Sequence, residues 1–181
     1  FFCMNIPVKK ILWKPTNKNI QESQMTEFTE YVNKRHQLSL QNYDELHNWS
    51  VKNISDFWHS LWDFNEIIYT GNIESVIDDD SKMPGAKWFT GIKMNFAEDL
   101  LHYQDDKTAI IFKGEVKKPH RITYKQLSIH VAQLADAMRN ADVKPEDRIA
   151  GFLPNMPIAV IAMLASASIG AIWSSCSPDF G

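Results

Sequence analysis

The sequence predicts an α/β chain in which a helical N-terminal extension precedes the first strands and helices of a layered domain. Three observations predict it. Apolar residues recur at helical spacing through most of the first hundred positions. From Thr108 onward, short apolar runs alternate with helical stretches. The last of these alternations, from Arg148 to Cys176, has the strand–helix–strand spacing of a βαβ unit, whose two strands run parallel. With 181 residues, net charge −3 and 44% hydrophobic residues, the chain is long enough to bury a core. A domain of this size buries roughly 70% of its unfolded surface.

Taken in order, Ile11 to Pro15 reads as an extended segment ending in Trp-Lys-Pro. From Ile20 to Arg35, the residues Met25, Phe28 and Val32 repeat at helical spacing. Glu22, Glu27 and Glu30 come early and Lys34, Arg35 and His36 late, an order that suits the helix dipole. Asn53 with Asp56 three residues on resembles a capping box. Phe57, Trp58, Leu61, Trp62 and Phe64 then mark a broad apolar helical face, which must bury against something. Tyr69 to Gly91 reads as irregular, broken by Gly71, Asp78-Asp79-Asp80 and Met83-Pro84-Gly85. Asn95 to Tyr103 reads as a short helix capped by Asn95, with Glu98 at its third position.

The period then changes. Ala109 to Phe112 and Arg121 to Tyr124 read as strands around a Lys113-Gly114-Glu115 turn. Leu127, Val131, Leu134, Ala135 and Met138 carry a helix to about Asn140. Arg148 to Leu153 reads as a strand, followed by a helix capped by Asn155 with Pro157 in its first turn. That helix ends near Gly170, and Ala171 to Cys176 is the second parallel strand. Its apolar run is interrupted by prolines, Gly170 and serines, so it reads as a buried crossover helix and strand and not as a membrane span. Because the chain stops straight after this strand, the expectation is a fragment whose last strand is short of neighbours and which self-associates or is marginally stable.

Composition excludes several functions. A net charge of −3 does not suit a strongly basic nucleic-acid binder, and the basic residues a stacking groove requires are missing around the tryptophans. Those tryptophans read as core or interface. Cys3 and Cys176 have no Cys-x-x-Cys spacing, so neither a disulfide framework nor a zinc module is indicated, and Cys176 reads as buried. The six histidines are scattered singly, as surface or helix-end residues. Asp78-Asp79-Asp80 lacks the spaced oxygens of a calcium loop and reads as a solvated acidic turn. The 7 glycines are dispersed, whereas a phosphate-cradling loop needs several close together. On its own spacing the chain carries no complete set of catalytic or metal-binding residues.

Three blocks carry a more specific signal. The first is Ile11-Leu12-Trp13-Lys14-Pro15, continued by Tyr43-Asp44-Glu45-Leu46-His47-Asn48-Trp49-Ser50-Val51 and Asp56-Phe57-Trp58. The second runs from Trp88-Phe89 through Gly91 to Met94-Asn95-Phe96-Ala97-Glu98-Asp99-Leu100-Leu101. The third runs from Asp147-Arg148 through Leu153-Pro154-Asn155 and Ser168-Ile169-Gly170-Ala171-Ile172-Trp173-Ser174-Ser175 to Ser177-Pro178-Asp179-Phe180-Gly181. Together they resemble the N-terminal part of the acetoacetate–CoA ligases, a family of adenylate-forming acyl-CoA synthetases. The Ser-Pro-Asp-Phe-Gly ending discriminates most, since acetyl-CoA ligases carry a Phe-Gly-Gly-Phe-type stretch there.

The resemblance implies a cytoplasmic acid–thiol ligase. Residues 1–104 would be the synthetase N-terminal extension, and 105–181 the beginning of an incomplete AMP-binding large domain. The full enzyme would use ATP, Mg2+ and CoA with acetoacetate as small-molecule substrate, with no nucleic-acid or membrane partner. The family's phosphate loop, acidic ribose-binding residue and catalytic lysine find no counterpart here, so the fragment alone is expected to be inactive and to hold no cofactor. Ser177, Pro178 and Asp179 fall where acetyl-CoA ligases meet CoA, and they are the expected CoA-binding residues. A turn in which Asp179 caps the next helix fits the same residues. Another short-chain acyl-CoA ligase, or a non-catalytic interaction module derived from that fold, remains open at this stage.

Overall fold

The computed structural model describes residues 12–115 and 119–178. Asp179 lies outside them, as do Cys3 and Ile11. The chain divides into two compact units: Phe1–Glu66 with Ser75–Thr90, and Ile67–Glu74 with Gly91–Gly181. The division falls within β1 (Thr70–Ile77) and β2 (Trp88–Lys93), which pair with each other in a two-stranded sheet.

The first unit is built on α1 (Asn17–Gln21), α2 (Gln24–His36), α3 (Tyr43–Lys52) and α4 (Ile54–Phe64). The helix expected from Ile20 is in fact two helices. Ser23 interrupts them, and its hydroxyl accepts the Thr26 amide as the cap of α2. α2 keeps the expected charge order, with Glu27 in its first turn and Lys34, Arg35 and His36 in its last. Phe28 and Val32 bury on one face of α2 against Leu46 of α3, with Trp49, Phe57, Leu61 and Phe64 packed around them.

α3 is not announced by a strong apolar stripe, because Leu46 is its only buried residue. Its start is nevertheless locally encoded. Asn42 Oδ1 accepts the Glu45 amide at 3.0 Å, and Glu45 Oε2 accepts the Gln41 amide at 2.7 Å. Asn53 corrects the capping-box expectation. It ends α3 and begins α4, and its side chain turns back to donate to the Trp49 carbonyl at 3.0 Å. With that side chain turned back onto α3, α4 starts without a side-chain cap.

The segment read as irregular contains both strands of the first sheet. Gly71 and Gly91 make this possible, with φ of +95° and +86°. A Cβ on Gly71 would lie 2.3 Å from the Gly91 carbonyl oxygen, so the two backbones approach where no side chain fits.

The second unit contains α5 (Phe96–Leu100), β3 (Thr108–Phe112), β4 (His120–Thr123), α6 (Tyr124–Asn140), β5 (Arg148–Phe152), α7 (Pro157–Ser168) and β6 (Ile172–Cys176). β3 and β4 pair antiparallel, and β5 and β6 pair parallel as expected. A capping box at Thr123 and Gln126 starts α6. Its buried stripe of Leu127, Val131 and Ala135 packs with Ile161, Leu164 and Ala165 of α7 and with Ala97 of α5. Among the described residues, no helix is long and apolar enough to cross a membrane.

Candidate functional site

The parallel pair defines an amino end and a carboxyl end, and different residues organise each. At the amino end, Gly170 adopts φ +78° and turns the chain from α7 into β6. The Ala167 carbonyl accepts the Gly170 amide and also the Asn95 side-chain amide, each at 3.0 Å. Asn95 simultaneously caps α5, its Oδ1 accepting the Ala97 and Glu98 amides at 2.9 and 3.3 Å. The expected cap is therefore present, and the same side chain also ties α5 to the last turn of α7. The Glu146 amide donates to the Gly170 carbonyl at 2.9 Å and the Ile172 amide to the Asp147 carbonyl at 2.8 Å.

Along the strands the register runs from Arg148↔Ile172 to Phe152↔Cys176. Gly151 sits beneath the Trp173 indole, so close that a Cβ there would lie 2.4 Å from the ring. At the carboxyl end, the Leu153 amide donates to the Cys176 carbonyl at 3.4 Å. The ladder therefore runs on into two adjacent loops: Leu153–Met156, which enters α7, and Ser177–Pro178, which leaves β6. Open α/β sheets bind ligands outside the carboxyl ends of their strands.

The expected CoA-binding residues are thus partly located. Ser177 is half-buried and Pro178 exposed at that edge, while Asp179 lies outside the described residues. Two expectations near the edge are corrected. Cys176 is exposed, not buried, and its strand pairs with β5 alone among the described residues. Asn155 does not cap α7; Met156 is the N-cap, with no side-chain cap bond.

Three of the histidines serve local structure. His36 Nε2 lies 2.8 Å from the buried Ser60 hydroxyl, His59 faces Asp63 at 3.6 Å, and His102 Nδ1 contacts the Asp99 carbonyl. The acidic turn is closed upon itself. The Lys87 amide donates to Asp78 Oδ1 at 2.8 Å, Ser81 donates to Asp79, and Lys82 pairs with Asp78 at 3.1 Å. The hydrogen bond from the Lys87 amide, then that from the Lys82 ammonium, holds the Asp78 carboxyl below the ordinary carboxylate range. Hydrogen bonds from the Ser81 hydroxyl and amide do the same for Asp79. Among the described residues, no group of three or more His, Cys, Asp or Glu is arranged to hold a metal ion.

Sequence reasoning missed an apolar groove of about 690 Å³ in the first unit, walled by Phe57, Trp58, Met83 and Trp88. Its walls come from segments some thirty residues apart, so no local motif marks it. Its Ser50 hydroxyl donates to the His47 backbone carbonyl at 2.8 Å and not to a side-chain base, and the edge of the parallel strands is the stronger candidate site.

Comparison with known proteins agrees with this architecture. The AMP-binding enzyme family matches residues 96–181, and the acetyl-coenzyme A synthetase N-terminus family matches residues 43–100. Together these two acyl-CoA synthetase family matches run from residue 43 to residue 181. Relatives of this chain include acetoacetyl-CoA synthetases. That of Xenopus tropicalis is 44% identical over 95% of this chain and 26% of its own length. The Rhizobium meliloti enzyme is 39% identical over 94% of this chain and 26% of its own length. A malonamoyl-CoA synthetase of Penicillium aethiopicum is 37% identical over 96% of this chain and 25% of its own length. The solved acetoacetyl-CoA synthetase of Streptomyces lividans superposes with a TM-score of 0.86 at 35% identity, covering 95% of this chain and 27% of that one. The chain thus spans about a quarter of the length of the relatives it matches.

Proposed function

We propose that this chain is the N-terminal quarter of an acetoacetate–CoA ligase. In the reaction, an acetoacetate carboxylate oxygen attacks the α-phosphorus of ATP, and pyrophosphate leaves. The CoA thiolate then attacks the acyl carbon, AMP departs with the bonding electron pair, and acetoacetyl-CoA results. The observation that carries this reading is the agreement of acetoacetyl-CoA synthetases from vertebrate and bacterial sources across 95% and 94% of the chain. A second reading, a ligase for another short acid, is favoured by the malonamoyl-CoA synthetase at 37% identity.

In this reading residues 1–104 form the extension and 105–181 open the large domain of a cytoplasmic enzyme. The chain contributes one wall of the CoA site, Ser177-Pro178-Asp179, while ATP activation belongs to polypeptide beyond it. Pro178 fixes its own φ and biases Ser177 to extended backbone, so the turn is pre-shaped. The experiment compares Asp179→Ala with the parent sequence in a full-length ligase. A raised CoA requirement with acetoacetate-dependent ATP–pyrophosphate exchange retained supports the site. Equal losses in both half-reactions identify Asp179 as a helix cap instead. Purified residues 1–181 are expected to show no acetoacetate-dependent exchange, and exchange well above background would overturn that expectation.

A further inference from the structure

The loop that enters α7 leaves the sheet beside the loop that leaves β6. Phe152 pairs with Cys176, and the Leu153 amide still reaches the Cys176 carbonyl, so Leu153–Met156 and Ser177–Pro178 start from paired positions at one edge. Asn155 is the polar side chain of the first loop. Its type and its place two residues before Pro157 suit a helix cap, yet Met156 occupies the cap position without a side-chain bond. The Asn155 carboxamide is exposed and makes no hydrogen bond among the described residues. A carboxamide offers one acceptor oxygen and two donor hydrogens. Among the described residues neither kind is committed to a partner.

We infer that Asn155 is a binding residue for the pantetheine arm of CoA, acting beside Ser177 and Pro178. This rests on the reading that the Ser177–Pro178 loop meets CoA. The arm is uncharged and carries secondary amides, each with one N–H donor and one carbonyl acceptor. An asparagine side chain pairs with both groups of one such amide: Oδ1 accepts its N–H while Nδ2 donates to its carbonyl. A carboxylate at the same place would only accept, and would bring a charge that the arm does not match.

The test uses a full-length ligase carrying this sequence and the variants Asn155→Ala, Asn155→Asp and Ser177→Ala, with CoA as the varied substrate. Asn155→Ala is expected to raise the KM for CoA roughly ten-fold, the size of one lost pair of neutral hydrogen bonds. The KM for ATP in pyrophosphate exchange and the thermal midpoint should stay near those of the parent. Asn155→Asp should not restore CoA affinity. A CoA KM that moves with Ser177→Ala but not with Asn155→Ala overturns this inference and leaves the loop reading standing. If neither variant moves it, the loop reading falls too. Parallel losses in both half-reactions with a lower thermal midpoint would make Asn155 a folding residue, and the inference would fail.

Discussion

The indole of Trp62 stacks on the ring of Phe89, with centroids 4.1 Å apart and planes 29° from parallel, although Phe89 has φ of +44°. Successive residues of a regular strand point to opposite faces. Here Trp88 and Phe89 both meet α4, since Trp88 packs edge-on against Trp58 at 5.6 Å while Phe89 stacks on Trp62. Trp58 and Trp62 are one helical turn apart and share a face. The positive φ is the departure from strand geometry that accompanies this double contact.

The first expectation follows from that conflict. A bulky residue at positive φ costs about 1–3 kcal/mol, and an aromatic pair returns about 0.5–1.5 kcal/mol beyond its burial. Phe89→Ala keeps the backbone cost and loses the ring, so we expect a loss of about 3 kcal/mol in urea unfolding. Phe89→Gly loses the same ring but relieves the backbone, and should be the more stable variant of the two by about 1 kcal/mol. The reverse order would show that Phe89 is not strained.

The acidic turn yields a pH dependence. Asp78 and Asp79 both have folded-state pKa values lowered below 3.8. A lowered carboxylate pKa stabilises the fold above the unfolded value, and that contribution is lost as pH falls through the folded value. Stability contributed by this turn should therefore be constant near neutrality and decline below about pH 4. Asp78→Asn should weaken amide protection at Lys87, whose N–H donates to Asp78, at pH 7. The difference from the parent should shrink as pH falls below 4. A difference that persists at pH 2 would mean that charge is not the cause.

What could be read directly from sequence were the elements whose signals are local and complete. Asn95 caps α5 through amides two and three residues away, and the α6 stripe is buried by helical spacing alone. β1 and β2 escaped because Gly71 and Gly91, breakers by residue type, are needed by the close approach of two chains. Asn53 and Asn155 escaped for a related reason. Cap propensity identifies a suitable side chain, but the neighbouring turn decides where it bonds. The carboxyl edge of β5 and β6 was legible because a βαβ unit dictates where its loops emerge. Residue type alone does not assign a ligand to that edge, since Ser-Pro-Asp is also an ordinary turn.

Gly151 tests the geometry of the parallel pair. Gly151→Ala drives a methyl group to 2.4 Å from the Trp173 ring, so one of the two must move. Overpacking of this kind costs about 1–3 kcal/mol. Trp173→Leu in the same chain should recover much of that loss, giving a favourable coupling energy in a double-mutant cycle. Additive effects would show that the indole does not cover Gly151 in solution.

The last expectation concerns the exposed apolar surface of the same strands. Among the described residues β5 and β6 form a sheet of two, and Phe152 and Ile172 on them are 62% and 52% exposed. Each strand thus has an outer side with no partner strand among those residues, and unpaired edges template association with other chains. Residues 1–181 should therefore self-associate as concentration rises. Ile172→Lys places a charge on the exposed side chain while leaving the Ile172 amide free to reach the Asp147 carbonyl, so the local backbone bond survives. Light scattering over a concentration series should show a smaller mean mass for this variant than for the parent sequence. A monodisperse parent at every concentration would overturn the expectation. So would a variant that associates equally, since the contact would then lie elsewhere on the chain.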